Sequence, residues 1–195
     1  MVGTNKPSSA GCVWTWPDEE GQRILEYDVK DSQYQWFGKV EQKLVGRRGL
    51  GMLVRKCLNP RIAKKSVSAD LLWVMVGEQE DPLYLAVVYL VPNTSAENAE
   101  KNCKLLDELQ SDMVSWCGKV VMGDWHSRIG ALANTVLEGE DDEVRIVEER
   151  SSADKVVSNQ GIRVMRVLNA AGVVVTNGMR ETWPSSHLSK QAVFQ

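Results

Sequence analysis

The sequence has no apolar run of the length that a membrane span requires, and its first residues are polar. A span needs roughly 18 consecutive apolar residues, and a signal peptide needs a shorter apolar core near its start. Residues 1–11 are instead rich in Gly, Pro and Ser, which predicts a flexible lead-in. We therefore expect an intracellular protein, nuclear or cytoplasmic, with no signal peptide and no membrane partner.

The sequence also has few cysteines and histidines, and it has no excess of positive charge. The four cysteines form no CxxC pair, which excludes the zinc-knuckle and thioredoxin-type patterns. The formal net charge is -3 and the isoelectric point is near 5.5. Proteins that bind nucleic acid usually carry a basic face, so a nucleic-acid role here must depend on local sites.

Phosphate-binding glycine loops are missing as well. No GxGxxG or GxxxxGK[ST] sequence follows any predicted strand, which sets aside the dinucleotide-binding and P-loop classes. What remains is ordinary globular composition, with 195 residues, 43% hydrophobic and 25% charged. These values predict a single domain over residues 12–195.

Hydrophobic periodicity predicts the order strand, strand, strand, helix, strand, helix, strand. The predicted strands are residues 50–54, 71–76, 84–90, 119–122 and 173–176, with a hairpin turn at 77–82. A capping box of Thr94 and Glu97 predicts the start of the first helix, and Gly118 its end; the second runs from Ser158 to Gly172. Residues 137–149 are dense in acidic residues and predict an exposed loop. This mixture favours an α/β sandwich whose sheets are covered by helices.

Asp124 follows a predicted buried strand through Gly123, and His126 comes two residues later. Carboxylate oxygen suits Mg²⁺ or Mn²⁺, and imidazole suits Mn²⁺ among other cations, so the pair fits metal-assisted phosphate chemistry at a strand end. The alternative is structural: Asp124 caps the turn after the strand, and His126 only packs. On these residues alone the two readings stay open.

Two families place an Asp-x-His or a similar motif after a strand. Calcineurin-like phosphoesterases do, but their later GDxxDR and Asn-His motifs do not follow Asp124, and His187 has no Asn before it. The succession VGRRGLGMLVRKCL, DLLWVMV, LYLAVVYLVP, VVMGDWHSRIG, SADKVVSNQGIRVMRVLNAAGVVVTNG and ETW instead resembles the endonuclease/exonuclease/phosphatase superfamily in order and content. GD-x-x-x-RIG and DKVV-x-N-x-G resemble the endonuclease domains of non-LTR retrotransposons and the related craniofacial-development-protein-like sequences.

This resemblance implies a fold and a set of site residues. The fold would be a four-layer sandwich, with two mixed β-sheets packed together between helices and the last strands absent. Tyr89 would place a phenol near the scissile phosphate, Asp124 would activate water and bind Mg²⁺ or Mn²⁺, and His126 would stand where the family has Asn. Asn177 matches a family Asn near the site, although an Asn-Gly turn explains it equally well. The substrate would be DNA or another phosphodiester.

The sequence also departs from the family pattern. Trp14, in CVWTW, stands where the family has its metal-binding Glu, and indole cannot bind Mg²⁺. The chain ends before the family's Ser-x-Ile-Asp and Ser-Asp-His segments, and His187 comes too early to be that histidine. Missing members of a catalytic unit usually remove most of the rate.

The predicted function is therefore a metal-dependent phosphodiester hydrolase of endonuclease type whose activity is impaired in this chain. The alternatives are a truncated remnant that catalyses nothing, a fragment of a longer protein with a reverse-transcriptase domain, and a phosphatase or deadenylase of the same superfamily. One scaffold serves all of these substrates, so the fold does not choose among them.

Overall fold

The computed structural model describes residues 32–41, 48–138, 143–148, 150–176 and 190–194, which form a mixed α/β fold. The strands are β1 (Tyr34–Glu41), β2 (Arg48–Arg55), β3 (Arg61–Lys64), β4 (Leu71–Val76), β5 (Leu83–Tyr89), β6 (Gly118–Asp124), β7 (Asn134–Glu138), β8 (Glu143–Glu148), β9 (Val174–Val175) and β10 (Lys190–Phe194). The helices are α1 (Ala96–Ser115) and α2 (Asn159–Ala170), and a single 3-10 turn covers Lys56–Leu58. The predicted lead-in, residues 1–11, lies outside the described residues.

The largest sheet has the strand order β3-β4-β5-β6-β10-β9. β3, β4 and β5 are antiparallel, with the predicted hairpin turn between β4 and β5, and β5, β6, β10 and β9 run parallel. Because β5 and β6 are parallel neighbours, their carboxyl ends meet at one edge of the sheet, where Tyr89 is in register with Asp124. This edge positions the candidate site.

Alternate residues of β4 and β5 point to two separate apolar cores, as the pleat of a strand requires. Side chains such as Leu71, Trp73 and Val88 pack against the two helices. Their neighbours, such as Leu72 and Val87, pack against the β1–β2 hairpin. The described chain therefore has three layers, namely helices, a mixed sheet and a hairpin. The predicted strand at residues 71–76 is confirmed, and it is buried on both faces.

The first helix begins one residue later than predicted and ends by a different means. Its N-cap is Ser95, whose hydroxyl accepts the backbone N–H of Asn98 at 3.1 Å, so the Thr94–Glu97 capping box is wrong. The helix stops at Trp116, whose backbone is extended and whose ring stacks on Tyr84 with centroids 4.3 Å apart. Gly118 is then the first residue of β6 rather than the helix stop.

Lys119 closes this end of the helix. Its buried ammonium donates to the carbonyl of Trp116 at 2.8 Å and to the carbonyl of Met113. The last carbonyls of a helix lack partners within the helix, and a cation there also matches the helix dipole. A lysine one residue into the next strand therefore does what a C-terminal glycine was predicted to do.

The predicted acidic loop at residues 137–149 is wrong, because residues 134–138 and 143–148 pair as the antiparallel hairpin β7–β8. The register places Leu137 opposite Val144 and Thr135 opposite Ile146. The strands NTVLE and EVRIVE contain β-branched residues, which favour strands, but they lack the strict alternation of apolar and polar residues that predicts one. The second helix, by contrast, is confirmed from its N-cap at Ser158 to Gly172, which has a φ of 63°.

No helix in the described part of the chain has both the length and the apolar character needed to cross a membrane.

Candidate functional site

The candidate site lies where β5 and β6 end. Tyr89 and Asp124 are paired in register, so their side chains fall on the same side of the sheet, towards the β1–β2 hairpin. A Cβ on Gly123 would lie 2.1 Å from the carbonyl oxygen of Val88 on β5. The glycine before Asp124 is thus required by the close approach of the two strands, which brings the carboxylate next to Tyr89.

Asp124 and His126 form a compact pair. Asp124 Oδ1 accepts the backbone N–H of His126 at 3.0 Å, and Oδ2 lies 3.1 Å from His126 Nε2. The turn between them places His126 at a φ of 39°, in the left-handed region that residues other than Gly seldom adopt and in which Asn, Asp and His are the most common of them. The side chains are 39% and 35% exposed respectively, so both reach solvent.

Tyr89 completes the group. Its ring contacts the imidazole of His126 edge to face, with centroids 5.3 Å apart and an interplanar angle of 88°. Unlike the other two, Tyr89 is buried, with 7% of its surface exposed. The structure therefore brings together Tyr89, Asp124 and His126 and leaves the acidic and imidazole groups open to a ligand.

Three residues of the sequence-based site lie outside the described residues. They are Asn177, which was expected to join the site, Trp14, which stands at the position of the family Glu, and His187. Their contribution stays a prediction.

The described donors fit a divalent cation only in company with its substrate. Among the residues that the structure describes, no group of three or more His, Cys, Asp or Glu side chains converges. Asp124 and His126 supply one carboxylate and one imidazole. Mg²⁺ in phosphate-processing sites is commonly held by one or two carboxylates together with water and substrate phosphate. The pair is chemically suited to that kind of shared site and not to a cage built by the protein alone.

The segment after His126 is held by a second set of residues. Arg128 donates two hydrogen bonds to the carboxylate of Asp154, from Nε and from a terminal nitrogen, both at 2.8 Å. Its backbone N–H donates to Ser158 Oγ at 3.1 Å, and its carbonyl accepts the N–H of Ser158 at 2.8 Å. These hydrogen bonds with Arg128 lower the pKa of Asp154 below its ordinary range. These contacts join two segments that are distant in the sequence, RIG and DKVV-x-N-x-G.

Two glycines permit this contact. A Cβ on Gly161 would lie 2.2 Å from the carbonyl oxygen of Arg128. Gly130 has a φ of 48°, and a Cβ there would lie 3.0 Å from the side chain of Val157. Ile129 and Val157 form an isolated antiparallel bridge between the same segments. The glycines of both motifs are therefore explained by packing between them.

Buried amides connect the two strand ends to the helices. Asn102 on α1 accepts the N–H of Val91 at 3.0 Å, donates to the Val91 carbonyl at 2.8 Å and donates to Gln160 Oε1 at 3.0 Å. Gln160 on α2 donates to the carbonyl of Trp125 at 2.9 Å. Asn102 and Gln160 are 4% and 6% exposed. Buried amides satisfied in this way rigidify a site, because any displacement leaves polar groups unpaired.

Sequence reasoning missed both amides. The signal was present in Asn102, a polar residue three and four positions before Leu105 and Leu106 on the buried stripe of α1. No such signal singles out Gln160, which lies in the first turn of a helix where polar residues are ordinary.

No protein-family model matches the chain, and a search of curated proteins gave no match.

Proposed function

We propose that this chain is a divalent-metal phosphodiester hydrolase of endonuclease type, related to the endonuclease/exonuclease/phosphatase superfamily, with a weakened site. The observation that carries the proposal is the placement of Tyr89, Asp124 and His126 together at the carboxyl ends of two parallel strands. A half-exposed carboxylate beside an imidazole and a phenol is suited to a phosphate group and to a cation shared with it.

The layers of the fold support the relationship. The described part of the chain has a mixed sheet with helices on one face and a β-hairpin on the other. These correspond to three of the four layers of a sandwich with the order helix, sheet, sheet, helix. The contact between GDWHSRIG and DKVVSNQG also explains why the two motifs occur together in the family pattern. We infer the four-layer architecture from these parts.

The backbone at His126 supports it as well. By resemblance the family has Asn at this position, and a φ of 39° is a conformation that Asn adopts more readily than most residues. The turn therefore has the shape that a GDxN sequence would take, with a histidine in it. Histidine lacks the paired donor and acceptor of an amide, which accounts for a weakened site.

The side chains of the chain have separate roles in the proposed reaction. Asp124 orients the attacking water and accepts its proton as the water oxygen bonds to phosphorus. The P–O bond to the leaving sugar oxygen breaks, and solvent water protonates that oxygen. His126 and the Tyr89 phenol donate hydrogen bonds to phosphate oxygens. A cation bound by Asp124, His126 and the phosphate would neutralise developing negative charge. The amides of Asn102 and Gln160 hold the strand ends that carry Asp124 and Tyr89.

Metal-dependent nicking of supercoiled plasmid DNA tests the proposal. We expect slow conversion to the open circle with Mn²⁺ or Mg²⁺, no conversion with EDTA, and none with Asp124→Ala. Asp107→Ala, which removes an exposed carboxylate from α1, is the matched control and should keep the activity. If the unmodified chain nicks no DNA, then bis(p-nitrophenyl) phosphate and poly(A) RNA distinguish another diester substrate from no hydrolysis at all.

A second candidate function is a non-catalytic relative of such enzymes. It is favoured by the engagement of both Asp124 oxygens with His126 and by the absence of a third metal ligand among the described residues. Calorimetric titration with Mn²⁺ in the presence of a non-cleavable phosphorothioate oligonucleotide separates the candidates. A metal site that depends on Asp124 supports hydrolysis, and no heat of binding supports the non-catalytic alternative.

A further inference from the structure

A cleft of about 390 Å³ lies between α1 and α2, on the helix face of the sheet and away from the side that carries Asp124. The described residues that line it include two arginines and four amides and no carboxylate. They are Asn93, Ala99, Asn102, Cys103, Leu106, Asn159, Gln160, Ile162, Arg163 and Arg166. A cleft with this lining is suited to an anion with several hydrogen-bond acceptors.

The two arginines belong to one face of α2. Arg163 and Arg166 are three residues apart, so they are neighbours on the helix surface. The helix NQGIRVMRVLNA carries these two charges and no acidic residue. Both side chains are exposed, and neither pairs with a carboxylate of the described residues. Their charge is therefore available to a ligand.

Arg163 extends across the cleft towards α1. Its terminal nitrogen lies 2.6 Å from the Sγ of Cys103, a weak hydrogen-bond acceptor. A guanidinium has five N–H donors, so this contact leaves most of them for a ligand. The contact places the guanidinium beside the α1 wall of the cleft.

The facing stripe of α1 is neutral, although the helix as a whole is acidic. The cleft is lined there by Ala99, Asn102, Cys103 and Leu106, spaced three and four residues apart. The acidic residues of α1, Glu97, Glu100, Asp107, Glu108 and Asp112, lie outside the described lining. An anion in the cleft therefore meets two positive charges without an opposing carboxylate in the lining.

The amides at the base of the cleft connect it to the candidate site. Gln160 lines the cleft and donates to the carbonyl of Trp125, the residue after Asp124. Asn102 lines it and pairs with Val91, two residues after Tyr89. These amides therefore join the base of the cleft to both strand ends by hydrogen bonds.

We propose that the cleft between α1 and α2 binds a phosphate group, through Arg163 and Arg166, and that this phosphate belongs to the backbone of a nucleic-acid strand. The choice of nucleic acid as the source rests on the proposed function, because the cleft is joined to the Asp124 turn by Gln160. The phosphate chemistry itself rests only on the lining.

Binding is measured without catalysis. Fluorescence anisotropy of a fluorescein-labelled oligothymidylate of about a dozen nucleotides, in EDTA, reports the backbone as ligand, and calorimetric titration with inorganic phosphate reports the free anion. We expect Arg163→Gln/Arg166→Gln to weaken oligonucleotide binding by about ten-fold and to reduce the dependence of log Kd on log salt by about 1.

The matched control is Lys65→Gln/Lys104→Gln, which removes the same charge from exposed positions outside the cleft. Equal affinity in the two double variants, or no binding of either probe to the unmodified chain, overturns the proposal. Binding of inorganic phosphate alone, lost in the arginine variant, supports the phosphate site and assigns it to a free phosphate.

Arg166→Gln alone keeps the test valid if the double variant fails to fold, because the Arg163–Cys103 contact is then intact. If the unmodified chain binds the oligonucleotide through the two arginines but does not nick DNA, the result would count against the proposed hydrolase. It would still support the phosphate site in the cleft.

Discussion

The two halves of the segment GDWHSRIG differ in what they contact. Asp124 and His126, in the first half, are more than a third exposed. Among the described residues their side chains pair with each other, and His126 also contacts the Tyr89 ring. Arg128 and Gly130, in the second half, are fixed against the segment that opens α2 by paired hydrogen bonds and by close backbone contacts. The first half carries the proposed reactive group, and the second half is its support.

The difference separates stability from the proposed chemistry within one segment. The supporting half contacts Asp154, Ser158 and Gly161 through Arg128. The reactive half has a histidine at a φ of 39°. Changes to the support should therefore alter stability, and changes to the reactive half should alter activity with little effect on stability.

The largest effect on stability is expected at Gly123. Alanine there would place a Cβ 2.1 Å from the Val88 carbonyl oxygen, so β5 and β6 must move apart. We expect Gly123→Ala to lower the free energy of unfolding by about 3 kcal/mol, as overpacking in a sheet core does. Gly118→Ala, with its nearest contact at 3.2 Å from Pro82, should cost less than about 1 kcal/mol in urea unfolding. Equal losses of unfolding free energy in the two variants would show that the close approach of β5 and β6 at Gly123 does not determine the effect.

The next effect is expected from the buried amides. Gln160→Leu leaves the Trp125 carbonyl and one N–H of Asn102 without their partners, which should cost about 2 kcal/mol. Gln110→Leu makes the same substitution on α1 at a partly exposed position and should change the free energy by less than about 0.5 kcal/mol. Urea midpoints measure both. A Gln160→Leu midpoint equal to that of the unmodified chain would contradict the role of these amides.

A smaller effect is expected from the Arg128–Asp154 pair, with a defined pH dependence. Hydrogen bonding to Arg128 lowers the pKa of Asp154, so the folded state binds this proton less readily than the unfolded state. The pair therefore stabilises fully above the ordinary Asp value of about 4, and its contribution disappears as pH falls through the lowered pKa.

The Tm of the unmodified chain should exceed that of Asp154→Asn at neutral pH, and the difference should shrink as the pH falls through the lowered pKa of Asp154. A difference that is constant with pH would show that the loss does not depend on the charge of Asp154; the Val156 N–H bond is not its source, because an amide oxygen also accepts it.

The smallest effect on stability is expected at Asp124. Asn keeps an oxygen to accept the His126 N–H, and the side chain is 39% exposed, so Asp124→Asn should change the free energy of unfolding by less than about 0.5 kcal/mol. The same substitution should abolish metal-dependent nicking. A large loss of stability would place Asp124 in the support and remove the distinction between the two halves.

The sequence predicted the elements with strong periodicity. β4, its hairpin partner β5, and α2 from Ser158 to Gly172 were found within a residue or two, because burial on a sheet or a helix face leaves a regular apolar pattern. Tyr89, Asp124 and His126 were placed at strand ends, and the structure brings them together.

What the sequence missed depends on partners distant in the chain. The end of α1 is set by Trp116 against Tyr84 and by Lys119, none of which follows a local rule for helix ends. The Gln160 amide has a structural role only because α2 packs against α1 and so places Gln160 next to Asn102. Strand β1, with Trp36 and Phe37 buried, was not predicted.

The central claim is that Asp124 and His126 form a weakened phosphodiesterase site on an intact support, and the nicking rate of His126→Asn tests it most directly. Asn tolerates a φ of 39° and restores an amide beside Asp124. With Mn²⁺ we predict nicking on the order of ten-fold faster than the unmodified chain, and none when Asp124→Ala is added. A stably folded His126→Asn chain that nicks no faster than the unmodified one would contradict the account.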